Sequence, residues 1–381
     1  RNEIATFLSE RIDAGDFPSA VYLVAEKGEI VLHEALGYAV VEPELIEARK
    51  DTIYDLASLT KVLITGLLTA LIVEKGEVSL DDRIGDLIDG FDGDKAEISL
   101  SDLLTHVSGL ESWVPFYLVS NSRFEILNKI SRRPVNYGRG EKVLYSDLNF
   151  TLLTFLIEKV HAARVDQVAA SNIFAPLDIV ETGFNPLDRF PERQIAASEK
   201  GNAFERQMCV ELGYLKDVQP IAKNPVAIAP GSDPFRTETI WGEVHDGNAY
   251  FMGGVAGHAG LFSTAEEVFK IAQQFLPNYT QLLKPETCEL FRTNFTPGMN
   301  EHRSFAFQLA STPDSTAGTK MSPQSFGHLG FTGTSLWIDP VKERVFILLT
   351  NRTHNHSLPF VNINSVRRRF HDLAIDLLDK N

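Results

Sequence analysis

Strand-rich ends around a helical middle predict an α/β fold of the α+β type. An antiparallel sheet from the N- and C-terminal segments would be flanked by helices, with a mostly helical lobe inserted. Three observations carry this. Ser19–Glu26 and Glu29–Glu34 are β-rich runs joined by the two-residue turn Lys27-Gly28, a hairpin signature. After a helix pattern over Ser58–Lys75, helical spacing dominates from Ser79 to about Lys223. After Phe305, apolar runs of strand length return.

In order, residues 2–14 read as an amphipathic helix (Ile4, Phe7, Leu8, Ile12), followed by the hairpin. Thr52-Ile-Tyr54 is a short strand candidate. A mostly buried helix is expected from Ser58 to Lys75, where Val62, Leu63, Leu67, Leu68, Leu71 and Ile72 keep one periodicity. Further helical patterns cover Leu80–Leu87, Ser101–Thr105, Phe124–Ile130, Phe150–Val160 and Val165–Ile173. Residues 174–245 are long on loops and short on periodicity, and no element is placed there. Phe305–Ala310, Ser335–Asp339 and Arg344–Thr350 read as core strands, the last two joined through Asp339-Pro340, and a helix over Ile363–Leu378 closes the chain. The expected domains are 1–55 with 246–381 for the sheet, and 56–245 for the helical lobe.

Composition excludes several functions. The 381 residues carry a net charge of −15, and the one basic run, Arg367-Arg-Arg369, lies within a helix pattern. Nucleic acid and anionic membrane are therefore poor partners. No apolar run reaches membrane-spanning length. Cys209 and Cys288 are at no metal-ligand spacing; one disulfide between them is open but not required. No clustered ligand set, P-loop or dinucleotide fingerprint occurs, so no metal or other cofactor is expected. The chain opens at Arg1 with no apolar leader, which points to a trimmed mature form. Periplasm or exterior is slightly favoured over cytoplasm.

Three stretches carry chemistry together. In Asp55-Leu-Ala-Ser-Leu-Thr-Lys61, Ser58 stands at a helix start with Lys61 three residues on, on the same face. Free backbone N–H groups and the positive end of the helix dipole lie beside the hydroxyl. A desolvated Lys61 sheds its proton more easily, and the neutral amine can then deprotonate Ser58. Alone, this pattern is more often an N-cap and a solvated lysine. In Leu144-Tyr-Ser-Asp-Leu-Asn149, Tyr145 can hold a proton between serine and leaving group, and Asp147 can hold Lys61; the bland reading is packing and a cap. In Phe326-Gly-His-Leu-Gly-Phe-Thr-Gly-Thr-Ser335, glycines let another backbone come close, which suits a strand edge that aims an N–H at an oxyanion. There His328 adds a polar or cationic group, and Gly330 and Gly333 could equally mark a plain strand bend.

Over nearly the whole chain, these stretches resemble the penicillin-recognising serine hydrolases: class C β-lactamases, DD-peptidases and related esterases. S-x-x-K lies near residue 60, a Y-x-N-like motif about ninety residues later, and a K-T-G-like strand near the end. Leu104-Thr-His-Val-Ser-Gly-Leu110 resembles another family signature, with His106 and Ser108 structural rather than catalytic, as does Gly253–Ser263, a glycine-rich turn leading into a helix. The resemblance implies Ser58 as nucleophile, Lys61 as general base, Tyr145 as proton-transfer partner, and the amides of Ser58 and Phe331 as the oxyanion hole. It places Asp147, His328 and Gly330 around the substrate.

Two departures matter. Asp147 stands where the family has asparagine, and His328 replaces the K-T-G lysine with a group expected to titrate near neutrality. Efficient β-lactamase action is therefore not expected. The function expected is a serine hydrolase working through a covalent Ser58 acyl-enzyme on an ester or amide, as an esterase or D-amino-acid peptidase. A weak class C-type β-lactamase is the alternative, and a non-catalytic penicillin-binding or regulatory module the rival outside catalysis. The partner is a small-molecule or peptide substrate, cell-wall derived or a β-lactam.

Overall fold

A computed structural model describes residues 2–215 and 234–380. Its centre is a seven-stranded sheet. The strands are β1 (Ser19–Glu26), β2 (Glu29–Val40), β3 (Ile46–Glu47), β4 (Gln308–Leu309), β5 (Phe326–Leu329), β6 (Ser335–Asp339) and β7 (Arg344–Thr350). Their order is β3-β2-β1-β7-β6-β5-β4, with every neighbouring pair antiparallel. Both ends of the chain therefore meet at its middle, where Ala20 faces Thr350 and Glu26 faces Arg344. The β1–β2 turn uses positive φ at Lys27 (+50°) and Gly28 (+81°), the geometry that keeps the twist of the two strands in step.

Side-chain alternation sends each strand's residues to two cores. Ala20, Tyr22 and Val24 of β1, Trp337 of β6, and Phe346 and Leu348 of β7 pack under α1 (Glu3–Asp13) and the C-terminal helix (Asn364–Asp379). Val21, Leu23, Leu336, Ile338, Val345, Ile347 and Leu349 face the other way, into the larger core shared with the helical segments. Fully burying a side chain such as Trp337 or Phe346 is worth roughly 2–3 kcal/mol, so the alternating pattern decides the register.

The helical segments include α2 (Leu67–Glu74), preceded by a π-helical stretch at Lys61–Gly66, then α3 (Asp147–His161) and α4 (Ala265–Ala272). The C-terminal helix, Asn364–Asp379, is α5. Thr264 caps α4 by accepting the Glu267 amide, in line with the turn expected after Ser263. Among the described residues, no helix is long and apolar enough to cross a membrane. Cys209 and Cys288 are both free and buried.

Several expectations needed correction. The helix expected from about Ser58 to Lys75 is present from Leu59 to Glu74, but its Lys61–Gly66 part is π-helical. Only Ile84–Leu87 of the 80–87 pattern is helical, and Val165–Ile173 divides into an α-helical turn and a π-helical one. Phe305–Ala310 is a strand only at its end, because Ala306 turns at φ +68°. Phe305 and Phe307 instead meet Phe275, Phe291 and Phe326 mostly edge-to-face, so apolarity there serves an aromatic cluster. Within 174–245, where no element was placed, Ala197–Lys200 pairs with Thr239–Trp241 and Ala203–Glu211 is helical.

Candidate active site

Ser58 is held at the tip of a tight turn. Ala57 before it sits in the left-handed region at φ +47°, which costs a non-glycine residue about 1 kcal/mol or more. The turn is pinned from several sides. Asp55 Oδ1 accepts the Ala57 amide at 2.8 Å, and Thr60 Oγ1 donates to the Ala57 carbonyl at 2.6 Å. The Leu56 amide donates to the Leu261 carbonyl at 2.9 Å. Such over-determination keeps the half-buried hydroxyl facing a cleft of about 550 Å³.

Lys61 lies beneath Ser58, fully buried. Its Nζ donates to Ser58 Oγ at 3.0 Å and to the His258 carbonyl at 2.8 Å, and ion-pairs with Asp147 Oδ1 at 2.7 Å. Burial alone would strip its proton, but Asp147 and Tyr145 overcome that and raise it above the ordinary lysine value. This corrects the expectation of a neutral resting amine: Lys61 rests as an ammonium. Tyr145 stands beside both Lys61 and Ser58, with Lys61 Nζ 5.1 Å from its ring centre; burial raises its hydroxyl, and the neighbouring Lys61 partly offsets the rise.

His106 explains how Tyr145 is placed. Its carbonyl accepts the Leu144 amide at 2.9 Å and its Nδ1 accepts the Ser146 amide at 3.0 Å, gripping the chain on both sides of Tyr145. The two rings lie 4.6 Å apart. Ser108 donates to Asn149 Oδ1 at 2.6 Å inside α3. His106 thus holds the segment that carries Tyr145, and Ser108 ties the same signature to α3.

His328, on β5, is 5% exposed. With Nδ1 assigned as donor to the Leu329 carbonyl at 2.9 Å, Nε2 is left as a bare acceptor with no partner among the described residues. Burial, then Lys61 and Arg303, push it well below the usual histidine value. The expected near-neutral titration is therefore corrected to a neutral imidazole. Gly330 lies where an added Cβ would stand 1.9 Å from Thr334 Oγ1 and 2.6 Å from the Leu56 carbonyl, so only glycine lets this loop approach the Ser58 turn. The amides of Ser58 and Phe331 have no acceptor among the described residues.

Ser58, Tyr145, Asp147, His328, Gly330 and Phe331 all line the cleft, with Lys61 under its floor. Sequence reasoning missed Arg303, Arg352 and Arg367, since lone arginines carry no spacing signal, and the His258 carbonyl, which no side-chain pattern could reveal. It also missed the acidic wall. There Glu205 accepts from the Tyr117 hydroxyl at 2.8 Å and the Gly247 amide at 2.8 Å. Burial, then nearby Asp246, pushes Glu205 up to about 7. A carboxyl raised in the fold contributes stability that is present below its unfolded value of 4.5 and lost as pH rises through 7. Melting curves of Glu205→Gln should accordingly differ less between pH 5 and pH 8 than those of the wild type.

Fold and cleft are those of a serine acyl-transfer enzyme. The family model described as Beta-lactamase matches residues 4–367. A protein of Escherichia coli (strain K12) named "Putative D-alanyl-D-alanine carboxypeptidase" is 32% identical over 382 residues, covering 93% of this chain and 82% of its own length. A protein of the same name from Salmonella newport (strain SL254) is 33% identical, covering 94% and 84%. Among solved structures, the octameric penicillin-binding protein homologue from Pyrococcus abyssi superposes with a TM-score of 0.71 at 18% identity, over 98% of this chain and 77% of that one. EstCE1, a hydrolase with promiscuous acyltransferase activity, gives 0.71 at 18% identity over 97% of both chains. The chain belongs to the β-lactamase family. It is a serine hydrolase of that family.

Proposed function

We propose that Ser58 is the nucleophile of a covalent acyl-enzyme and that the substrate is a peptide ending in a D-amino acid, or a small ester presented the same way. The observation that carries this is the contact set Ser58–Lys61–Tyr145–Asp147 on the floor of one cleft. As Ser58 Oγ bonds the acyl carbon, its proton passes to Lys61 while an ammonium proton moves to Asp147. Tyr145 then delivers a proton to the departing amine or alcohol and is refilled from Lys61. Water cleaves the ester and restores Ser58. The developing oxyanion lies between the Ser58 and Phe331 amides.

The leaving side supports a peptide. With His328 neutral, the cation beside it is Arg303, 4% exposed, shared with Glu301 and 5.7 Å from the Tyr145 ring centre. A substrate carboxylate would meet Arg303 where the family places lysine. The curated relatives' name points the same way. Esters form the second reading, favoured by that same neutral His328, because a small ester needs no clamp.

Turnover of a D-Ala-D-Ala peptide, the same peptide amidated at its C-terminus, a chromogenic ester and nitrocefin tests this. Amidation is expected to lower kcat/KM by roughly tenfold or more, the scale of a charge-assisted hydrogen bond, and Arg303→Gln should erase the difference. Equal rates for both peptides in the wild type would remove the carboxylate from the reading, and ester turnover alone would leave the esterase.

A further inference from the structure

Two arginines outside the Ser58 group reach the loop that carries Phe331. Arg367, from α5, donates through Nη2 to the carbonyls of Gly330 at 3.1 Å and Thr334 at 2.9 Å, and through Nη1 to Asn364 Oδ1 at 3.0 Å. Arg352, just past β7, donates through Nε to the Phe331 carbonyl at 2.8 Å and lies 5.0 Å from that ring's centre. The carbonyls before and at Phe331 are thus each held by a guanidinium. Neither guanidinium ion-pairs with a carboxylate among the described residues, and Arg367, 5% exposed, keeps a buried Nε without a partner. Burial and the neighbouring Arg352 push Arg367 down to about 9, so it stays charged at neutral pH.

A buried cation without an anion is expensive, and one of its three hydrogen bonds goes to the peptide that carries the Phe331 N–H. The Gly330 carbonyl and the Phe331 N–H belong to the same planar unit. A cation at the oxygen draws electron density toward it and makes the N–H at the far end a stronger donor. The loop is also bolted to the chain entering Ser58. Thr332 Oγ1 donates to the Asp55 carbonyl at 2.7 Å and Thr334 Oγ1 to that of Leu56 at 2.9 Å. These cross-links set the spacing between the two amides of the oxyanion hole.

We infer that Arg367, supported by Arg352, is a positioning residue for acyl transfer: it aims and polarises the Phe331 amide toward the oxygen that becomes negative when Ser58 adds to the substrate. Arg367 exchanges no proton; the C=O electron pair moves onto the substrate oxygen and returns when the leaving group departs. The inference rests on the reading of Ser58 as nucleophile and the Phe331 amide as oxyanion donor.

The test compares wild type, Arg367→Gln, Arg367→Lys and a control, Arg368→Gln, whose guanidinium donates to the Asp314 and Ser315 carbonyls instead. Each is acylated with a ¹³C-carbonyl-labelled, slowly hydrolysed ester. The infrared stretch of the bound acyl carbonyl is then measured beside kcat and KM for a chromogenic ester. Arg367→Gln should raise the stretching frequency and lower kcat about tenfold with KM little changed, less than the hundred- to thousandfold loss of a whole donor. Arg367→Lys should lie between, and Arg368→Gln should match the wild type. A folded Arg367→Gln with an unshifted carbonyl band overturns the inference, whatever its rate. Should that variant fail to fold, the band of Arg367→Lys decides alone. Labelling of Ser58→Ala by the same ester would instead mark failure of the underlying nucleophile assignment.

Discussion

Replacing Ser58 by alanine is expected to lower ester turnover by about five to six orders of magnitude, the scale seen when a hydrolase nucleophile is removed outright. The protein should stay folded. Ser58 Oγ accepts one hydrogen bond from Lys61, worth about 1 kcal/mol net, and the turn around it is held by Asp55, Thr60 and Leu261 independently of the hydroxyl. Intact-mass measurement with an active-site acylating probe gives the cleanest readout: one adduct on the wild type, none on Ser58→Ala. An adduct of equal yield on the variant would mean that the cleft's chemistry belongs to another residue.

The Lys61→Met variant should lose about a thousandfold in acylation rate, within the usual range for a positioned proton-transfer group. Methionine fills the buried channel, but nothing then carries the Ser58 proton to Asp147. Asp147 remains partly open to solvent, with a 19% exposed side chain, so its stranded charge should lower the melting temperature without unfolding the protein. The pH dependence has a definite sign. Because Lys61 is raised in the fold, its contribution is intact below the ordinary value of 10.5 and fades only as pH climbs through the higher folded value. Wild-type stability should therefore show an alkaline decline above about pH 10.5 that Lys61→Met lacks. Wild-type acylation by the methionine variant would eliminate Lys61 from the proton path.

Much of this was legible in the residues. The β1–β2 hairpin, β6, β7 and both terminal helices follow from alternation, turn chemistry and periodicity, which are local. The convergence of Ser58, Tyr145 and the 326–335 stretch was legible only through the resemblance, since nothing local says that segments so far apart will meet. The charge states were misjudged because neither burial nor neighbouring charge can be read from sequence alone. Lys61 is desolvated as expected, yet the carboxylate of Asp147 reverses the outcome, and His328 is pushed toward neutrality by its burial first and then by Lys61 and Arg303. Arg367 was read only as part of a basic run within a helix pattern, although it alone of the three is buried, while Arg368 is half-buried and Arg369 exposed. The Phe305–Phe307 run shows the converse limit, because apolarity guarantees burial but not a strand.

Pairing between β1 and β7 has a consequence for how the molecule is made. The first strand leaves the ribosome more than three hundred residues ahead of the partner it needs, so at roughly 5–20 residues per second it waits tens of seconds with its inner edge bare. Until Arg344–Thr350 emerges, the N-terminal hairpin has only the two-residue β3 and α1 beside it, too little to make it stable in water by itself. Any chain halted short of that point should accumulate as an aggregation-prone or chaperone-bound species rather than as a smaller working enzyme.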